Sequence, residues 1–194
     1  MGFTRAELES FRDATVPDLV GPGLRLLFVG INPGLWTAAT STHFAHPGNR
    51  FYPALLRAGV IDRPIDRGVG MSDDDRRALI ERGIGITNLV ARATPRASEL
   101  SVTELREGAV RLAAFVARHR PAVVAVAGVT AYRAAFERPK AVLGRQTETL
   151  EGAELWVVPN PSGLNAHETI DTLATAYRAP AVAAGLGSER GVER

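Results

Sequence analysis

The sequence predicts a three-layer α/β/α fold around a mainly parallel central sheet of about four strands, and three observations predict it. Four apolar runs have the length of buried strands: "LRLLFV" from residue 24, "IGITNLV" from 84, "AVVAVAG" from 122 and "ELWVVP" from 154. Segments with helical spacing or capping chemistry separate these runs, so the strands connect through crossovers that favour parallel pairing. Two turn-rich segments, "GINPG" and "NPSGLNAH", follow the first and fourth runs, at the strand ends where open α/β sheets bind ligands.

Each element has its own local cause. In "TRAELESFRD", Thr4 stands three residues before Glu7, the spacing of a capping box, which predicts a short helix within an N-terminal extension over residues 1–15. A turn-rich linker, "VPDLVGPG", leads to the first strand, Leu24 to Val29, where only Arg25 is polar. Residues 30–51, "GINPGLWTAATSTHFAHPGNRF", hold so many turn formers that neither a regular strand nor a regular helix is expected there. "NRFYPALLRAG" reads as a helix stopped at Gly59, and "SDDDRRALIERG" as one capped by Ser72 and Asp75 and stopped at Gly83. "SVTELREGAVRLAAFVARHRP" is the clearest helix: Ser101 and Glu104 cap it, Leu105, Leu112, Phe115 and Val116 mark its apolar face, and Pro121 ends it. "VTAYRAAFE" and "HETIDTLATAYRA" are helices after the third and fourth strands. One domain over 1–180 is expected, with a flexible tail over 181–194 and no internal repeat.

Composition narrows the class. With 194 residues, 45% hydrophobic and 23% charged, the chain can enclose one sizeable core. No apolar stretch approaches the roughly 20 residues that cross a bilayer, and the opening "MGFTRAELESFRD" carries both charge signs without a secretory pattern. A cytoplasmic location and no membrane partner are therefore expected. The absence of cysteine excludes disulfides, thiol nucleophiles and thiolate metal sites. Lys140 is the only lysine among 23 basic residues; arginine suits phosphate recognition, but a codon bias toward arginine and alanine is the main account of the composition, and the bias alone carries no functional weight.

The two loops lack the usual signatures of nucleotide and metal chemistry. "GINPG" matches neither GxxxxGK[ST] nor GxGxxG, and Pro33 removes a backbone donor where a phosphate cradle needs several. No acidic pair lies in either loop, and His43 and His46 lack acidic partners, so neither metal nor cofactor is expected. Chemistry at this rim has to run on neutral amides, backbone donors and an aromatic surface.

Five segments in order, "GINPG", Phe44 twelve residues after Asn32, "HPGNRF", "GITNLVARAT" and "NPSGLNAH", resemble the mismatch-specific uracil-DNA glycosylase and thymine-DNA glycosylase family within the uracil-DNA glycosylase superfamily. The likeness runs from about Val16 to Tyr177. It implies the superfamily's three-layer fold and a hydrolase that removes uracil, or ethenocytosine or thymine, mispaired with guanine. The partner so implied is double-stranded DNA containing mismatched or damaged pyrimidines, which makes the expected cytoplasmic location nucleoid-associated; a monomer is expected because the sequence indicates no oligomer. By the same resemblance Asn32 holds a water against the anomeric carbon, and Asn160 faces the reacting sugar and base. Gly30, Ile31, His43, Phe44 and Asn88 form the base pocket, with Phe44 stacked on the extruded base. Ser162, Gly163, Leu164, Asn165 and His167 contact DNA, Leu164 filling the vacated stack.

The chain also departs from the family. Ala91 stands where relatives often carry a carboxylate, and Ala166 where they use an arginine behind the wedge, with His167 beside it. His43 and Thr94 follow the thymine-type pattern, so the base preference stays open. Bland roles compete: Phe44 and Leu164 as core residues, Asn88 as a turn cap, His43 as a structural histidine, Trp36 and Trp156 as packing, and Arg50, Arg92 and Arg96 as solvated cations rather than phosphate contacts. A lesion-binding protein of feeble activity and a hydrolase of free nucleosides are the alternatives.

Overall fold

A computed structural model describes residues 2–186. In chain order its elements are α1 (Arg5–Glu9), β1 (Leu26–Gly30), α2 (Leu35–Thr40), α3 (Phe51–Arg57), α4 (Asp73–Glu81), β2 (Ile84–Asn88), a 3₁₀ turn at Ala97–Glu99, α5 (Val102–His119), β3 (Val123–Ala127), α6 (Val129–Ala135), β4 (Gly144–Leu150), β5 (Ala153–Val158) and α7 (Ile170–Ala183). The strands form one sheet in the order β2-β1-β3-β5-β4. β1 pairs in parallel with β2 and β3, and β3 with β5, whereas β4 runs antiparallel to β5. The register sets Gly30 beside Asn88 and Ala127 beside Val158. The carboxyl ends of four strands therefore open onto one rim.

Alternation along β1 explains the layers. Leu26 and Phe28 face a core built with Phe51, Tyr52, Leu55, Leu173 and Tyr177 of α3 and α7, while Leu27 and Val29 face one built with Leu105, Leu112, Val116 and Tyr132 of α5 and α6. Every residue of β1 and β3 is buried, as strands covered on both faces require. Thr4 with Glu7, Ser72 with Asp75, and Ser101 with Glu104 each form the reciprocal capping box expected of them.

The sheet has five strands rather than about four. The added strand, β4, reads Gly-Arg-Gln-Thr-Glu-Thr-Leu; it lies at an edge with alternate residues exposed, so it lacks the apolar run that marks a covered strand. Its hairpin to β5 turns on Glu151 and Gly152, both at positive φ, the backbone that matches strand twist in a two-residue connection. Within the stretch expected to be irregular, Leu35–Thr40 closes into the short helix α2, entered from extended Gly34 and ended by Ser41 in the left-handed conformation. The last helix continues through Pro180 to Ala183, into the stretch assigned to a tail: Ala181 and Ala184 are buried, and only one helical hydrogen bond, to the Ala176 carbonyl, is forgone. Residues 187–194 of that tail lie outside the described residues. Ahead of β1, Asp13 and Ala14 exchange backbone hydrogen bonds with Ala93, and Leu19 with Ile86, so the N-terminal extension closes the β2 edge.

Gly108 lets α5 lie close to the sheet. A Cβ there would stand 2.3 Å from the Leu89 carbonyl oxygen. Gly108→Ala is expected to destabilise the protein by about 1–3 kcal/mol through displacement of the helix, outweighing the ~1 kcal/mol that alanine contributes to an ordinary helix. A urea-unfolding midpoint equal to or above that of the parent protein would refute this close approach.

Candidate functional site

The β1 and β2 chains stay joined beyond their strands: Leu89 donates to the Gly30 carbonyl, Val90 to that of Ile31 and Thr94 to that of Pro33, at 2.9, 2.9 and 3.1 Å. The irregular segment after β1 is thus pinned to the one after β2. Between these loops and the one following β5 lies a cleft of 490 Å³. Ile31, Asn32, Phe44, Asn88, Asn160, Ser162, Gly163 and Leu164 line it, so eight of the residues singled out from sequence share one cavity. His46 is the only ionisable side chain among its lining residues.

The carboxamide of Asn32 has one possible orientation. Its nitrogen lies 3.1 Å from the carbonyls of Pro33 and Arg92 and 2.8 Å from the Thr94 hydroxyl oxygen. The Thr94 hydroxyl donates to the Arg96 carbonyl at 2.8 Å, so it accepts from Asn32. Two carbonyls and a hydroxyl already committed as a donor can face only an NH2 group. Among the described residues no donor reaches Oδ1, which is left as an acceptor at the cleft. Arg92 is partly exposed but not free; Glu104 at 2.6 Å and Asp13 at 3.0 Å hold its guanidinium, which steadies the carbonyl that orients Asn32. Arg92, with help from Ser101, keeps the Glu104 carboxyl down at about 2.

Asn160 complements it. Its Oδ1 accepts the Ser162 N–H at 3.1 Å, a local turn that leaves the carboxamide nitrogen free to donate. The loop it opens rests on the 48–50 segment. A Cβ on Gly163 would stand 2.6 Å from the Gly48 carbonyl oxygen, and the Arg50 N–H donates to the Pro161 carbonyl at 3.0 Å. The Arg50 guanidinium donates to the carbonyls of Ser162 and Asn165, each at 2.7 Å, and to that of Glu168. Arg50 is thereby an internal brace and not a solvated cation. It supports from below the loop that carries the exposed Ala166. Leu164, at the tip, is 90% exposed. Asn165, His167 and Arg96 line an adjoining cleft of 730 Å³ that shares Ile31, Asn160, Ser162 and Leu164 with the first.

The inner end of the cleft is aromatic and tight. Phe44 is stacked on Phe51 with ring centres 4.1 Å apart and sits at φ 56°, a conformation uncommon outside glycine. Gly30, expected in the base pocket, does not line the cleft; it is buried beneath these groups, and a Cβ there would meet Asn88 Oδ1 at 2.4 Å and the Phe44 ring at 3.2 Å. His43 does not line the cleft. It is buried behind Asn88, its Nε2 3.0 Å from the Pro17 carbonyl and its Nδ1 3.1 Å from the Asn88 carboxamide nitrogen, and burial lowers its proton affinity. Ala91 also stands outside, in a 180 Å³ cleft on the far side of Asn88 with Asp18 and Arg111.

Sequence reasoning assigned no role to His46 or Pro95, which line the cleft. The turn-forming Pro47-Gly48 after His46 was the available signal, and the Gly48 N–H does bond its Nδ1 at 3.0 Å. Trp36 packs edge-on against Phe3 and His46, and Trp156 against the α7-side core, as packing residues.

The Arg50 brace has a measurable consequence. Arg50→Ala is expected to lower stability by about 1–3 kcal/mol and to speed amide hydrogen exchange at Leu164, Asn165 and His167 by roughly tenfold or more, with β1 and β3 amides unchanged relative to global unfolding. Unaltered exchange in that loop would contradict the brace.

The sequence profile described as the uracil DNA glycosylase superfamily matches residues 17–181. Among solved structures, the fold is similar to the solution NMR structure of a Methanosarcina acetivorans protein provisionally described as a uracil DNA glycosylase. The TM-score is 0.56 at 16% identity, over 89% of this chain and 96% of that one. The profile spans every loop that lines the cleft, and this chain belongs to the uracil DNA glycosylase superfamily.

Proposed function

We propose that the protein is a DNA glycosylase that hydrolyses the N-glycosidic bond of uracil mispaired with guanine, leaving an abasic site. The observation that carries this is the Asn32 carboxamide, locked with its oxygen free beside a slot bounded by Phe44. A pyrimidine within a duplex is out of reach, so the nucleotide rotates outward at a cost of a few kcal/mol, least at a mismatch. Leu164, exposed on a braced loop, fills the vacated stack. Phe44 offers the base a ring face, and Asn88 meets its hydrogen-bonding edge. Asn160 supplies an N–H donor as negative charge grows on the leaving base.

Asn32 Oδ1 accepts a hydrogen bond from the attacking water and aims its oxygen at C1′. The C1′–oxygen bond forms as the C1′–N1 bond breaks, the bond pair leaves on the uracil ring, and the water proton passes to solvent. A carboxamide does not take up that proton near neutral pH, and no carboxylate lines the cleft, so turnover is slow beside that of carboxylate-assisted hydrolases.

Single-turnover cleavage of end-labelled G·U, G·T and G·ethenocytosine duplexes tests the proposal, with alkali used to reveal abasic sites. G·U is expected to be cut, and Asn32→Ala to slow the cut at least roughly 100-fold with duplex affinity retained. Asn32→Asp is expected to fare no better, because it sets a carboxylate oxygen against two carbonyls. Tight binding without any abasic product would favour a lesion-binding protein; release of base from free deoxyuridine alone would favour a nucleoside hydrolase.

A further inference from the structure

We infer that His46 is a substrate contact: its Nε2–H, at the mouth of the cleft, holds a phosphodiester oxygen beside the extruded nucleotide, and does so as an uncharged donor. The inference rests on the proposal that a flipped nucleotide occupies the cleft.

The ring is fixed from several sides. The Gly48 N–H, which can only donate, bonds His46 Nδ1 at 3.0 Å, so Nδ1 is a lone pair and the ring carries its hydrogen on Nε2. No acceptor among the described residues takes that hydrogen. Pro47 sets the backbone for a turn that closes where the Asn49 N–H donates to the His46 carbonyl at 2.8 Å, and the Arg67 guanidinium donates in turn to the Asn49 carbonyl. Trp36 of α2, itself packed edge-on against Phe3, lies against the imidazole with ring centres 6.1 Å apart. The Gly48 carbonyl abuts Gly163, so the ring keeps a set distance from the loop that carries Leu164.

A nucleotide has three parts, and two of them are met by other residues: the base by Phe44 and Asn88, the sugar by Asn32 and Asn160. His46 is exposed whereas Phe44 and Asn88 are half-buried, so the imidazole faces the outer end of the cleft, where the DNA chain enters and leaves. The third part, the phosphodiester, is an anion that needs donors there. No lysine or arginine lines the cleft, and the nearby Arg50 and Arg92 are held by carbonyls and carboxylates of the chain. The Nε2–H fills that role without adding charge. Such a contact ignores the identity of the base and of its opposite, and a free nucleoside lacks the group it grips, so His46 ties the cleft to polymeric DNA. A neutral donor also displaces no counterion, unlike a lysine or arginine at a phosphate.

The test measures affinity for a duplex that carries 2′-fluoro-2′-deoxyuridine opposite guanine, in which the electron-withdrawing fluorine slows hydrolysis of the glycosidic bond. His46→Ala is expected to weaken binding about tenfold, and His46→Gln, whose amide N–H can stand where Nε2–H stands, to keep most of the affinity. Replacement of a non-bridging phosphate oxygen by methyl, on the 5′ or the 3′ side of the fluorinated nucleotide, is expected to weaken binding by the parent protein on one side and to weaken His46→Ala little further there. Additive losses on both sides overturn the contact, since a merely structural ring couples to no single phosphate. The slope of affinity against salt is expected to be the same in parent and His46→Ala; a slope lowered by about one unit marks a cationic contact and overturns the neutral donor. In the free parent protein, ¹⁵N NMR is expected to show His46 in the Nε2–H form, and an Nδ1–H form overturns the inference. A protein that binds no duplex overturns this contact together with the proposed function, whereas one that shows the coupling yet releases no uracil from the unfluorinated duplex refutes the proposed function alone.

Discussion

The site depends on carboxamides that cannot turn. An asparagine amide is nearly symmetric in shape and opposite in polarity at its two ends, so its chemistry is undefined until neighbours choose a face. At Asn32 the choice is made by three acceptors, one of which, the Thr94 hydroxyl, accepts only because its own hydrogen goes to Arg96. At Asn160 an Asx turn consumes the oxygen. At Asn88 a buried imidazole takes the amine end. The three side chains thus reach one cavity with defined polarity although none carries a charge.

These locks belong to the fold. The acceptors for Asn32 lie in the segment after β2, which is held parallel to the segment after β1 by backbone hydrogen bonds that continue the sheet pairing. Arg92, whose carbonyl is one of those acceptors, is clamped by Glu104 at the start of α5 and by Asp13 in the N-terminal extension. Arg50 performs the same service for the loop after β5 from the entrance of α3. Two arginines that a sequence shows only as cations near a site are here held internally, Arg50 by carbonyl oxygens and Arg92 by carboxylates, and neither lines the cleft.

Much of this was legible from the residues. Apolar runs located β1, β2, β3 and β5, and cap chemistry located α1, α4 and α5, because those signals act over three to seven neighbouring residues. β4 and α2 were missed because their own composition is polar or turn-rich: β4 pairs with its immediate neighbour β5, but at an exposed edge that demands no apolar run, and α2 is a single short helix in a segment of turn formers. Of the site residues, Asn32 and Asn160 were expected at the rim from their turn-rich loops and Phe44 and Asn88 through the family resemblance; all four line the cleft, whereas Gly30 and His43 do not. The placement of His43 behind the wall and of Arg50 beneath the loop was not legible, since each is decided by contacts, to Pro17 26 residues away and to Ser162 112 residues away, that only the folded chain brings together.

Gly30 is a fully buried strand residue paired with Asn88, and a Cβ there would stand 2.4 Å from Asn88 Oδ1 and 3.2 Å from the Phe44 ring. Sheet pairing and the seating of two cleft side chains are therefore coupled at this one position: any side chain larger than hydrogen has to displace the carboxamide or the ring, so both keep their places only against a bare backbone.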